Sequence, residues 1–190
     1  YYAAGESIAA VDKLPQTELL KDKDYEVLYL TGETDEFVLQ ALMNYDEKPF
    51  RSIVDGDLEL GDEEEHKDDS ESAELMQFVK ETLGEQVASV RLSNKLVSSA
   101  VCLSTEGGVT LEMERYFRSM PGAPTDIRAV RVLELNANHH AYQTMKEAFT
   151  AGDKDKAARI AKILHAQALL IAGEPLEDPA AYSELVCTLI

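Results

Sequence analysis

With 190 residues, 45% of them hydrophobic and 28% charged, the chain holds enough apolar material for one large buried core or two small ones. Thirty-six acidic residues against 18 basic ones leave a formal charge of −18, which repels polyanions, so neither nucleic acid nor an anionic membrane surface is expected as a partner. No apolar run approaches the roughly 18 residues of a membrane span and the amino terminus has no signal-peptide pattern, so a cytoplasmic location is expected.

The chain starts on two tyrosines without an initiator Met, in what reads as a strand already under way, as a piece of a longer protein would. Residues 1–54 alternate strand-like and helix-like stretches: "YYAAG", "ESIAAVDKL", "TELLKDKD", "YEVLYLT", "TDEFVLQALMNY" and "PFRSIV". "YEVLYL" has the β-branched and aromatic content of a buried strand, and "TDEFVLQALM" opens with Thr34 as N-cap and Asp35 and Glu36 in the first turn, where the helix dipole favours them. Alternation of this kind predicts a small, mainly parallel α/β layer.

Between Asp55 and Glu74 the character changes, with 11 acidic residues against one lysine. Such a run self-repels and marks a solvated linker and domain boundary, placed at 61–73; the D-x-D-x-D-G register of a calcium loop is missing. Beyond it, "ELMQFVKETLG" sets Leu75, Phe78, Val79 and Leu83 at helical spacing and ends on Gly84. Two strand-like runs follow, "VASVRLS" and "SAVCLST", then the helical stretch "LEMERYFRSM" and a third strand, "AVRVLELN". Met113, Tyr116, Phe117 and Met120 recur at i, i+3, i+4 and i+7, one apolar stripe. A stripe of this kind by itself belongs to a core packed on the sheet.

The remainder is helical. "KDKAARIAKILHAQALLIAG" lines up Ile160, Ala161, Leu164, Ala168 and Ile171 and stops at Gly173 before Pro175. The last helix starts with Asp178 as N-cap and Pro179 at the first position, and carries Tyr182, Leu185, Val186 and Leu189 on one face. Two strongly apolar helices ending a chain need partners, either a second copy or this chain's own sheet. The expected class is therefore α/β followed by α+β: a small α/β/α layer over residues 1–60, then residues 74–190 with a three-stranded sheet and a helical tail.

Catalytic chemistry is sparse. "GESIA" imitates a nucleophile elbow at Ser7, but its fifth position is Ala; a serine capping a helix is the simpler account, and a small hydrolase using Ser7 with His139 or His140 is the alternative function. His139 and His140 point about 100° apart on a helix and lack companion ligands, so no metal site is expected. Cys102 and Cys187 are far apart, as buried reduced thiols rather than a disulfide framework. No phosphate-binding glycine loop occurs.

The strings "YYAAGES", "YEVLYLTGETDEF", "LGEQVASVRLSNKLVSSAVCLST", "EMERYF", "LELNANH" and "QALLIAGEPLEDP", in this order, resemble the C-terminal third of the heat-shock protein 90 molecular chaperones of the bacterial HtpG type. The resemblance covers essentially the whole chain. It implies that residues 1–60 end a middle domain and that 74–190 form a dimerisation domain. It also implies that the ATP and Mg2+ site of the full-length family, with its catalytic residues, lies upstream, leaving this piece no enzyme and without a cofactor. The stripe helix is then expected to be exposed and to contact unfolded clients through Leu111, Met113, Tyr116, Phe117 and Met120. Ile160, Ala161, Leu164, Ala168, Ile171, Tyr182, Leu185, Val186 and Leu189 would form an intersubunit four-helix bundle in a homodimer, with Ala157 and Ala158 allowing close approach. The chain stops at "CTLI" without the acidic docking tail of eukaryotic relatives, so tetratricopeptide co-chaperones are not expected. Ala137 stands where many relatives have proline.

Overall fold

The computed structural model describes residues 1–56, 58, 60, 70–124 and 126–188. It forms two compact units, one joining Tyr1–Gly61 to Ser104–Val130, the other joining Asp62–Leu103 to Arg131–Ile190. Eight α-helices and seven short strands are present among the described residues.

In the first unit β1 (Tyr2–Ala4) pairs in parallel with β2 (Leu28–Leu30), Tyr2 opposite Leu28 and Ala4 opposite Leu30. Ser52 adds a single parallel bridge to Tyr2 on the other side of β1. The crossover from β1 to β2 contains α1 (Ile8–Val11), a 3-10 turn at Pro15–Thr17 and α2 (Glu18–Asp22). Ala3, Val11, Leu20, Ile53, Leu58 and Leu60 close into the core beneath this layer. The parallel α/β reading holds, but "YEVLYL" yields a three-residue strand whose Leu28 is exposed, because β2 is an edge covered on one side only. "PFRSIV" likewise contributes a bridge instead of a strand.

After β2, α3 spans Asp35–Leu42. Its cap differs from expectation. Thr34 makes no side-chain capping bond; instead the Gly32 N–H donates to Asp35 Oδ2 at 2.9 Å. A Cβ at Gly32 would sit 2.7 Å from the same carboxylate, so a larger residue there would push Asp35 out of its present position. A hairpin of β3 (Asn44–Tyr45) and β4 (Lys48–Pro49), unforeseen in the sequence, turns on Asp46 and Glu47 with φ of 49° and 62°. Left-handed turns of this kind usually signal themselves by Asn-Gly or Asp-Gly.

The segment Ser104–Val130 is tied to the first by the Thr105 N–H donating to Val54 O and the Gly56 N–H to Thr105 O, both at 2.9 Å. It carries α5 (Leu111–Ser119), capped by Thr110, whose hydroxyl accepts from the Met113 N–H at 3.2 Å.

In the second unit α4 (Ser70–Leu83) buries Leu75, Met76, Val79 and Leu83. It takes in the last four residues of the expected linker; residues 61–69, with His66 and most of the acidic run, lie outside the described residues. Gly84 follows at φ 61°, as a helix-terminating glycine should. The three-stranded sheet has the order β5 (Ser89–Leu92), β7 (Val130–Leu135), β6 (Val101–Glu106), with β5 and β7 parallel. α6 (His140–Thr150) and α7 (Lys154–Ile171) form a tight hairpin through Gly152, and α7 also packs on α4. α8 (Pro179–Cys187) packs on α7 and starts where expected, Asp178 Oδ1 accepting from the Ala181 N–H at 2.9 Å. Cys102 is buried, but Cys187 is exposed on α8, against the expectation of two buried thiols.

Candidate polypeptide-contact groove

The first unit holds a groove of about 490 Å³ at the carboxyl ends of β1 and β2. In parallel layers strand ends and the loops after them form the natural crevice. Ala4 to Glu6 come from the end of β1, Leu30 to Glu33 from the end of β2, Glu36 and Phe37 from α3, and Glu112, Met113, Arg115, Tyr116 and Ser119 from α5.

One wall is aromatic. Phe37 lies 5.3 Å from Tyr116 and 5.5 Å from Phe117 between ring centroids, the latter edge to face, and Tyr116 and Phe117 contact each other at 5.9 Å. Edge-on and tilted geometries of this kind hold rings in place through their quadrupoles. Tyr116 and Phe117 are half-buried and Met120 is 43% exposed at the helix end, whereas Leu111 and Met113 turn inward and are covered. Gln40 supports the inner side, donating to Gly108 O at 2.8 Å and contacting Met113 Sδ at 3.5 Å. The stripe is thus divided. Its amino-terminal half is core, as spacing alone suggests, and its carboxyl-terminal half is open.

The groove is also acidic. Glu6, Glu33, Glu36 and Glu112 line the groove with one cation, Arg115, which pairs with Glu112 at 2.9 Å and Glu6 at 3.8 Å. Glu36 is the unusual member, only 4% exposed. Thr110 Oγ1 donates to its Oε2 at 2.6 Å, so one hydroxyl both caps α5 and holds Glu36. Burial, chiefly, and the neighbouring Glu112 charge raise the Glu36 pKa above the usual carboxylate range, against the Thr110 bond that lowers it. Tyr2 is pushed up to about 12 by burial and by the Glu36 charge, so it stays a neutral phenol.

Reading the sequence for apolar periodicity misses Glu36 and Phe37. The usable signal is that α3 is inverted: Glu36 is buried while Val38 and Leu42 are exposed. A helix that breaks its own pattern marks a position where something other than packing decided.

In the second unit Ile160, Ala161, Leu164 and Ala168 of α7 are buried within the chain, on a helix that packs with α4, α6 and α8. Ile171 is 43% exposed beside Leu170, and Tyr182, Leu185 and Val186 on α8 are half-buried. α8 has no fully buried residue, and Leu189 lies outside the described residues.

The hydrolase alternative finds no support. The Ser7 hydroxyl accepts from the Ala10 N–H at 3.2 Å as the cap of α1. His139 Nδ1 accepts from the Ala141 N–H at 3.1 Å, capping α6, and His140 lies 3.4 Å from Thr144 Oγ1. Among the described residues no group of three or more His, Cys, Asp or Glu side chains could hold a metal, and no helix is long and apolar enough to cross a membrane.

The site therefore sets clustered aromatic rings beside a carboxylate-lined groove. The family model described as Hsp90 protein matches residues 1–190, and the chain belongs to that family. It is 45% identical over its whole length to the chaperone protein HtpG of Halalkalibacterium halodurans, 43% to that of Clostridium perfringens and 40% to that of Bacillus subtilis. The chain spans about 31%, 30% and 31%, respectively, of the length of these relatives.

Proposed function

We propose that this chain is the homodimerising and client-contacting part of a longer ATP-dependent chaperone, and that it does not itself hydrolyse ATP. Residues 1–60 close a middle domain and 74–190 form the dimerisation domain, with 61–73 linking them. The nucleotide and Mg2+ belong to the part of the relatives that this chain does not span, and the working compartment is the cytoplasm. Nucleic acid and membranes are not partners in this reading.

The observation that carries it is the open aromatic cluster of Phe37, Tyr116 and Phe117 continued by Met120. Rings have few rotors to freeze and thioethers adapt to irregular surfaces, so the cluster suits unfolded segments of many sequences. Leu111 and Met113 support it from inside. The test is suppression of aggregation of a chemically unfolded substrate. The wild-type chain should delay light scattering, and Phe37→Ser with Phe117→Ser should lose most of that delay with the fold intact by circular dichroism. Undiminished suppression by the double variant would refute the assignment.

For dimerisation, α8 has apolar residues that its own chain leaves half-covered, and Leu170 and Ile171 extend that surface. The partner is a second copy, with Ile160, Ala161, Leu164 and Ala168 stiffening α7 behind the contact and Tyr182, Leu185, Val186 and Leu189 meeting it. An isologous two-fold pairing would bury the same strip from each chain.

A further inference from the structure

We propose that the groove between β1, β2, α3 and α5 selects a lysine or arginine side chain of the bound polypeptide, flanked by apolar residues. This rests on the client-contact reading above and names the chemistry that the contact prefers.

Among the described residues four carboxylates line the groove against the single guanidinium of Arg115, which is already shared between Glu112 and Glu6. Glu33 and Glu36 remain for a ligand. Glu36 is more than nine-tenths buried, lines the groove, and has its Oε2 bound by Thr110, while its Oε1 has no hydrogen-bond donor among the described residues. A buried carboxylate kept beside a second carboxylate, Glu112, is costly unless a cation reaches it. An incoming guanidinium or ammonium supplies that cation, and the raised Glu36 pKa agrees with a site whose positive charge arrives with the ligand.

The aromatic wall fits the same guest. Phe37 and Tyr116 line the groove beside Glu36, so a long methylene stem can lie against the rings while its charged head meets the carboxylates. An acidic side chain is repelled, and a purely aliphatic one would leave Glu36 without a cation. The formal charge of −18 over the chain favours approach by basic segments in the same sense.

The experiment is fluorescence anisotropy with the 190-residue chain and two labelled peptides, identical except that the central residue, between leucine and phenylalanine neighbours, is arginine in one and the neutral near-isostere citrulline in the other. The arginine peptide should bind at least about fivefold more tightly, within the range of a partly desolvated cation contact, and the preference should shrink as salt is raised. Glu36→Gln, which keeps an acceptor for Thr110, should abolish the preference, and Glu33→Gln should reduce it. Phe37→Ala should weaken both peptides together. Equal binding of the two peptides by the wild type, or a preference untouched by Glu36→Gln, overturns the cation selectivity. If in that case Phe37→Ala still weakens both, the client-contact reading survives alone; if neither peptide binds, both readings fall.

Discussion

Glu36 and His165 are buried ionisable groups whose environments bias them oppositely, and each makes stability depend on pH in its own window. The Glu36 pKa is raised, so the folded state holds its proton more readily than the unfolded chain, and ionisation at neutral pH opposes folding. Glu36→Gln should therefore raise the melting temperature near neutral pH, with the gain shrinking as the pH falls through the raised folded pKa toward the usual carboxylate range; a loss of stability at every pH would mean the carboxylate is needed to hold Thr110. The same substitution should cost basic-peptide binding, a trade of stability against function. His165 on α7 is 5% exposed with no hydrogen-bond partner for Nε2 among the described residues, and burial first, then the Arg131 charge, lowers its pKa, with Glu177 opposing. Its neutral form suits the fold, so stability should be complete above about pH 6.5 and decline as the pH drops from there toward the lowered folded pKa. Urea midpoints compared at about pH 7.5 and about pH 5.5 should fall less for His165→Gln than for the wild type; equal falls would contradict the assignment.

At the scale of elements, α5 serves two masters along its nine residues. Leu111 and Met113 pack inward, Glu114 is buried with its Oε2 accepting from the Ala129 N–H at 2.8 Å, and Tyr116, Phe117 and Met120 reach the groove side or solvent. Truncating the inner half should destabilise and truncating the outer half should not. Met113→Ala is expected to cost about 2–5 kcal/mol in urea unfolding, the usual loss for a buried methionine, whereas Met120→Ser should stay within about 0.5 kcal/mol. Equal costs at the two positions would show that the helix is packed along its whole length. α8 is the opposite case, a well-capped helix without a fully buried residue of its own, its cap built locally.

For the whole molecule, the division into two units separates the proposed tasks: the polypeptide groove is built within the first, and the helices proposed for pairing belong to the second. Sedimentation equilibrium from about 0.1 to 50 μM brackets micromolar dissociation constants. We expect a mass twice the 21.0 kDa of one chain, reduced to one chain by Leu185→Glu, with aggregation suppression per chain weakened but not abolished by that variant. A single-chain mass throughout would remove the homodimer and leave α8 an element of the monomer. Leu185 is chosen over Leu164, because Leu164 is buried inside the chain and a charge there would unfold it whatever the oligomeric state.

The order of elements was legible from local chemistry: the glycine stop after α4, the Asp178 and Pro179 start of α8, the period of α7 and the three strands between α4 and α6 all depend on neighbours a few residues away. Family membership was legible too, because it is carried by strings of side chains. The division of labour on those elements was not. Periodicity says that Met113 and Phe117 share a stripe and that Ile160 and Ile171 share another, yet which end of each stripe is covered depends on segments far away in the chain: Val54 binding Thr105, Gln40 reaching Gly108, α4 lying on α7. Glu36 shows the limit most clearly. Its position in the first turn of α3 was visible as favourable helix electrostatics, but its burial under Thr110, 74 residues away, and its place in a groove are set only when β1, β2 and α5 come together. Local sequence determines which elements form and where they stop, since caps and periods act over one or two turns; long-range packing alone decides which faces remain open to a partner.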